Sequence, residues 1–167
     1  MNPFSFARNT AVLWLGLVLF VVLALSFLLP IQPNDYWWYV RLGQQITAAR
    51  AVPAVDTFSY TRLGQPVVYH SWLSAVMFWA AHRLGGSALT VLLRGSLLAL
   101  FYALVWHACR LAGAGPRLAA LLTFWAALTS SNNWAMRPQL FSYPLFALVL
   151  VSLGRWRRGE TGWLWLL

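Results

Sequence analysis

From Thr10 to Pro30 the chain reads TAVLWLGLVLFVVLALSFLLP, and no charged residue stands between Arg8 and Asp35. An apolar run of this kind reaches the roughly 20 residues that an α-helix needs to cross a ~30 Å hydrocarbon core, so the pattern predicts a first membrane span over 10–30. Arg8 ahead of the run also suits a cleaved signal peptide, but the apolar part is too long for one and no convincing A-x-A site follows it. Three further runs predict spans at 88–109 (ALTVLLRGSLLALFYALVWHAC), 117–135 (RLAALLTFWAALTSSNNWA) and 138–154 (PQLFSYPLFALVLVSLG). The closing GWLWLL opens a fifth span near residue 163 and stops. The chain therefore reads as a single membrane domain, 1–167, at the N-terminal end of a longer protein.

The segment SWLSAVMFWAAHRL, 71–84, is apolar nearly all round yet only about 21 Å long at 1.5 Å per residue. Whether it crosses fixes the side of every later loop, and the excess of arginine on the cytoplasmic side tests it. With 71–84 kept outside, Arg8, Arg110, Arg117, Arg155, Arg157 and Arg158 fall in the cytoplasm, and Arg41, Arg50, Arg62, Arg83 and Arg137 lie outside. With it crossing, only Arg8, Arg83 and Arg137 are inside. The first arrangement fits better. It gives a cytoplasmic N-terminus, an external loop over 31–87, a helix at 71–84 embedded in the outer interface, and LGGS as the turn into the second span. Along 36–49, Trp38, Leu42, Ile46 and Ala49 form a stripe suited to a helix in the membrane plane, with Trp37, Trp38 and Tyr39 at headgroup level. The expected fold class is all-α, a polytopic helical membrane protein with interfacial helices in its first external loop.

Composition agrees and narrows the setting. The chain is 60% hydrophobic and 9% charged, with eleven tryptophans, outside the usual range of soluble domains. Its net charge of +9 comes from twelve arginines and no lysine. Those arginines sit at the ends of apolar runs and form no basic stripe, which excludes nucleic acid as a partner and leaves membrane lipid. The missing lysines and the excess of Leu and Ala suit a GC-rich bacterial genome, hence a bacterial cytoplasmic membrane. Cys109, the one cysteine, sits in an apolar run and reads as a small buried hydrophobe.

Against this background the rare polar groups carry the candidate chemistry. Two of the three acids, Asp35 and Asp56, fall in the external loop together with His70, whereas Glu160 lies in RWRRGETG and reads as a solvated charge. Arg94 interrupts TVLLRGSLLAL inside the second span, where a charge either snorkels to the surface or faces a polar partner. Arg137 stands in NNWAMRPQLFSYP at the outer boundary between the third and fourth spans, among Asn132, Asn133, Gln139 and Ser142. Such a cluster reads either as ordinary boundary residues or as a phosphate site, since the guanidinium fork matches phosphate oxygens. His82 and His107 have no partner at ligand spacing and read as structural.

The succession D-Y-W-W-Y-V-R-L-G-Q-Q-I, V-P-A-V-D-T-F-S-Y-T and G-Q-P-V-V-Y-H-S-W-L, followed by an in-span arginine and R-P-Q-L-F-S, resembles the N-terminal part of bacterial membrane glycosyltransferases of the C superfamily (GT-C). Protein O-mannosyltransferases and aminoarabinose transferases to lipid A are more distant likenesses. The resemblance covers most of residues 10–155 and implies a helical membrane enzyme that takes a sugar from a polyprenyl-phosphate donor at the outer face. By position, Asp35 matches the acid that follows the first span in such enzymes, and Asp56 looks like a second loop acid. His70 stands where several relatives carry the lysine of a K-P-P-L-type motif, and Arg94 resembles the arginine that follows it. The chain departs from the pattern in lacking K-P-P-L and in having Asp35-Tyr36 where some members have Asp-Glu.

The roles that follow are Asp35 as general base or as ligand of a divalent metal ion, and Asp56 as its support, its fellow metal ligand or an acceptor contact. His70, Arg94, Arg137 and Gln139 would receive the donor phosphate. The departures leave the base and the metal dependence open. As an isolated fragment the chain is expected to be inactive. The rival class is a non-catalytic membrane subunit packed in a larger complex, with Asp35 in a structural ion pair to Arg41 or Arg94. A transporter is a third class, without a visible inverted repeat.

Overall fold

The computed structural model describes residues 3–166. The side chains of the first nine residues, of Asn34, of Trp163 and Leu164, and of the last two residues lie outside the description. With them lie Arg8 and much of the segment read as opening a fifth span.

The chain is helical throughout its ordered elements. These are α1 (Pro3–Leu28), α2 (Pro33–Ala49), α3 (Trp72–Leu111), α4 (Pro116–Ser130) and α5 (Gln139–Trp156), with short 3-10 turns at Ser131–Asn133 and Thr161–Leu166. Prolines punctuate them. Pro33 and Pro116 open α2 and α4 at the position where a missing N–H costs nothing. Arg50 ends α2 in the left-handed conformation, the usual way for a chain to leave a helix.

Two helices, Thr10–Leu28 within α1 and α3, are long and apolar enough to cross a membrane. A helix in the core of a soluble protein is buried on most sides. Here only 17% of the most apolar stretch of α1 and 28% of that of α3 is buried inside the chain. The apolar side chains exposed on them, among them Leu13, Phe20, Leu84 and Leu92, suit an apolar surrounding or a partner. The third predicted span is shorter as a helix than its sequence run: α4 stops at Ser130, because SSNN takes up a 3-10 turn instead of continuing.

The packing divides the chain into two compact units. One comprises the chain through Pro30, Arg94–Ala135 and the chain from Gln139; the other comprises Ile31–Leu93 and Met136–Pro138.

In the first unit α1 packs on α4, and Trp14, Leu17, Val21, Leu121 and Phe124 line a wholly apolar groove between them. Gly95 lets α3 approach α1 closely, since a Cβ there would sit 3.2 Å from Leu23 Cδ2. Beside it Arg94 is buried, 2% exposed, and its guanidinium spreads over the end of α1. Nε donates to Ser26 Oγ at 3.2 Å and Nη2 to the carbonyls of Leu29, at 2.6 Å, and of Ser26. The Pro30 carbonyl lies 3.5 Å from Nη1. The last carbonyls of a helix have no partner within it, and in hydrocarbon each would be costly to leave bare; Arg94 satisfies them and places its positive charge at the negative end of the helix dipole. At the other end of α3, Arg158 donates to the Leu111 carbonyl and Arg155 contacts His107 Nε2 at 3.0 Å and Glu160 at 2.7 Å. The C-terminal ends of α3 and α5 are therefore neighbours.

In the second unit α2 lies against the first limb of α3. A Cβ at Gly43 would collide with the Ala75 carbonyl and stand 2.7 Å from Trp79 Cβ, so only glycine permits this approach. Leu42 and Ile46 are buried against Tyr69 and Ala75. The stripe read as facing the headgroups is thus turned inward at Leu42 and Ile46, while Trp37 remains 48% exposed. The helical backbone of α3 breaks at Gly85 (φ −151°, ψ 23°) and Gly86 (φ 59°, ψ −151°), the latter in a region open essentially to glycine alone. The break separates a limb at 72–84 from a limb at 87–111.

Replacing Arg94 by alanine is expected to leave the α1 carbonyls unpaired and to lower stability by about 2–4 kcal/mol. Lysine, which keeps the charge without the fork, is expected to fall between. Thermal unfolding in detergent checks both; an Arg94→Ala protein as stable as wild type would contradict the clamp.

Candidate functional site

Asp35 sits in the first turn of α2, where the helix dipole favours an anion. Its Oδ2 lies 2.8 Å from Arg137 Nε, and the two side chains are 46% and 47% exposed. An ion pair so open to solvent contributes only ~0–1 kcal/mol to stability. Its significance is chemical: a proton acceptor and a fixed cation share one accessible place.

Buried contacts hold α2 in position around this pair. Tyr36, next to Asp35, is 1% exposed, and its hydroxyl donates to Thr90 Oγ1 at 3.0 Å while His82 Nδ1 lies 3.0 Å away. Burial pushes the Tyr36 phenol above its ordinary value, the Thr90 hydrogen bond partly offsetting it, so the hydroxyl stays protonated in the physiological range. Tyr39 is raised for the same reason, the Ser71 side chain partly offsetting it. Trp37 stacks edge-on against Tyr36 and His82.

The other sequence-designated residues do not join Asp35. Asp56 forms its own turn. Oδ1 accepts the amides of Phe58 and Ser59 at 2.8 and 2.9 Å, and Oδ2 accepts the Ser59 hydroxyl at 2.5 Å. The backbone around it closes through Asp56 N to Gln65 O and Gly64 N to Asp56 O, both 2.8 Å, with Gly64 at φ 81° supplying the bend. Asp56, expected to support Asp35, lies in a turn of its own in which both of its oxygens accept local hydrogen bonds. The described residues contain no cluster of three or more His, Cys, Asp or Glu that could hold a metal ion. Arg94, expected at the donor phosphate, is instead committed to the carbonyls at the end of α1. The ion pair of Asp35 is made neither to Arg41, which bonds Gln44 at 2.6 Å, nor to Arg94. His70 and Gln139 are exposed on the surface.

Sequence reasoning missed Tyr36, Thr90 and the hydrogen-bonding role of His82. Within an aromatic run Tyr36 looks like another interfacial anchor, and no spacing rule links it to residues some fifty positions away. Trp134, buried three residues before Arg137, was likewise unmarked. In the first unit its Nε1 donates to Tyr102 Oη at 3.1 Å, and Tyr102 pairs with Ser130 Oγ at 2.5 Å.

Compared with known proteins, the chain matches no family model, no curated protein and no solved structure.

The Asp56 turn carries a pH signature. The Ser59 hydroxyl, then the Ser59 and Phe58 amides, hold the Asp56 carboxyl below its ordinary value. Its contribution is therefore complete above the unfolded carboxylate value of about 4 and is lost as pH falls through the lower folded value. The Phe58 and Ser59 amides are expected to stay protected from exchange between about pH 7 and pH 5 and to lose protection below about pH 4. In Asp56→Ala they are expected to exchange freely throughout; protection that is unchanged in this variant would contradict the assignment.

Proposed function

We propose that the chain is the N-terminal part of an integral membrane glycosyltransferase that takes a sugar from a polyprenyl-phosphate donor at the outer face of a bacterial cytoplasmic membrane. The Asp35–Arg137 pair carries this reading. Glycosyl transfer from a lipid phosphate requires a base for the acceptor hydroxyl and a cation for the departing phosphate, and the pair supplies both functions side by side. Asp35 accepts the hydroxyl proton as the acceptor oxygen attacks the sugar. Arg137 takes the charge of the leaving phosphate. His70 and Gln139, both exposed, remain available to the donor headgroup.

The topology proposed with it is multi-pass with a cytoplasmic N-terminus. Its support is the clustering of arginine at one end of the helices: Arg110 bonds the Ala114 carbonyl at 2.5 Å, Arg158 bonds Leu111, and Arg155 reaches His107. A basic rim of this kind marks the cytoplasmic side.

One observation favours a second reading, a non-catalytic subunit of a larger membrane complex. Outward faces of α4 and α5 carry Leu121, Trp125, Leu145 and Phe146 at 54%, 62%, 63% and 62% exposure, a surface as suited to neighbouring helices as to lipid. The readings differ in what they require of Asp35. Under the enzymatic one, Asp35→Asn in the full-length protein lowers transfer by roughly 10²–10⁴-fold while insertion and thermal stability stay within ~1 kcal/mol of wild type. Transfer from a radiolabelled polyprenyl-phosphate sugar in membrane vesicles measures it, and undiminished activity would sink the assignment.

A further inference from the structure

The Tyr36 hydroxyl touches both sides of the break in α3, and the direction of its hydrogen bonds follows from the count of protons. Thr90 Oγ1 donates its one hydrogen to the Gly86 carbonyl at 2.9 Å. It must therefore accept from Tyr36 Oη at 3.0 Å. That leaves the Tyr36 oxygen as acceptor for His82 Nδ1 at 3.0 Å, which fixes the proton of a neutral His82 on Nδ1. The chain of donors runs from His82, in the limb before the break, through Tyr36, to Thr90 in the limb after it, and ends on the carbonyl of Gly86 at the break itself. Every member lies in the same compact unit. Tyr36 and Thr90 are 1% and 0% exposed, so water does not compete for these bonds.

At the break Gly85 and Gly86 leave helical φ/ψ, and nothing lies within 4 Å of where a Cβ at Gly86 would stand. The angle between the limbs is therefore held by side chains, and Tyr36 is the group bonded to both. Its backbone neighbour is Asp35, whose carboxylate is tied to Arg137.

We infer that Tyr36 is a latch that couples the turn carrying Asp35 to the Gly85–Gly86 break, so that a ligand drawing Asp35 away from Arg137 changes the angle at which 72–84 meets 87–93 within the same compact unit. The coupling holds whatever chemistry Asp35 performs, and it stands or falls apart from the glycosyl-transfer reading.

Spin labels at Leu73 and Leu92, 56% and 46% exposed on the two limbs, report that angle as a distance distribution in the full-length protein in lipid nanodiscs, with Cys109 replaced by serine. Wild type is expected to give one narrow distance. Tyr36→Phe, which keeps the buried ring and removes the hydroxyl, is expected to broaden the distribution or add a second distance, and Thr90→Val to do the same. The double variant is expected to exceed neither. Asp35→Asn is expected to shift the distribution when Tyr36 is present and to add nothing in the phenylalanine background. Distributions superimposable on wild type in Tyr36→Phe and Thr90→Val overturn the latch, even if melting temperatures fall. An Asp35→Asn effect that is absent, or equal in both backgrounds, overturns the coupling. Should Tyr36→Phe fail to insert, Thr90→Val decides alone, since it removes the same hydrogen bond from the other partner.

Discussion

The helices of this chain carry more apolar surface than the chain can bury against itself, and that imbalance governs everything else in it. α3 has the composition of a hydrophobic core, yet Trp72, Leu73, Leu84, Leu92 and Leu100 on it are exposed. A signal sequence near the N-terminus would share the composition of α1, but α3 lies in the middle of the chain and owes its apolarity to no such role. In a hydrocarbon surrounding, backbone carbonyls and charges become the expensive groups, and their placement becomes the informative feature of the structure. Arg94 illustrates the exchange. One buried guanidinium satisfies the carbonyls at the end of α1, and those carbonyls in turn accommodate its charge.

The same economy explains why so few acids are present and where they stand. Glu160 pairs with Arg155 in a basic turn, and Asp56 is consumed by its own loop. Asp35 differs in standing at the positive end of a helix, its exposed carboxylate beside a cation, on an element held by the buried Tyr36. Rigid support under an accessible charged pair is what a reactive or ligand-binding site requires. Gly43 contributes by allowing α2 to approach the backbone at Ala75 closely.

Much of the fold was legible in the sequence because its signals are local. Long apolar runs gave helices, and the Gly-Gly pair after Leu84 gave the turn between two limbs. Where a signal depended on a partner, reading it locally failed. The stripe through Leu42 and Ile46 has the period of an interfacial helix, yet its occupant is the protein itself, supplied by Tyr69 and Ala75. The run at 117–135 is apolar enough for a longer helix, but Ser and Asn side chains compete for backbone hydrogen bonds and end it at Ser130. Asp35 and Arg137 were each legible as unusual charges; their pairing was not, because no local signal links positions so far apart in the chain. Asp56 looked equivalent to Asp35 in composition and differs entirely in geometry.

Sidedness is the claim on which the placement of Asp35 rests, and it is open to direct measurement. Single cysteines at Ser87, before the second limb of α3, and at Ala112, after it, are placed in the Cys109→Ser background and challenged in intact cells with a membrane-impermeant maleimide. Labelling at 87 from outside, with 112 labelled only after permeabilisation, is the expected result. Labelling of 112 from outside would contradict it: either the whole topology is inverted, or 71–84 crosses and puts Arg137 on the opposite side from Asp35.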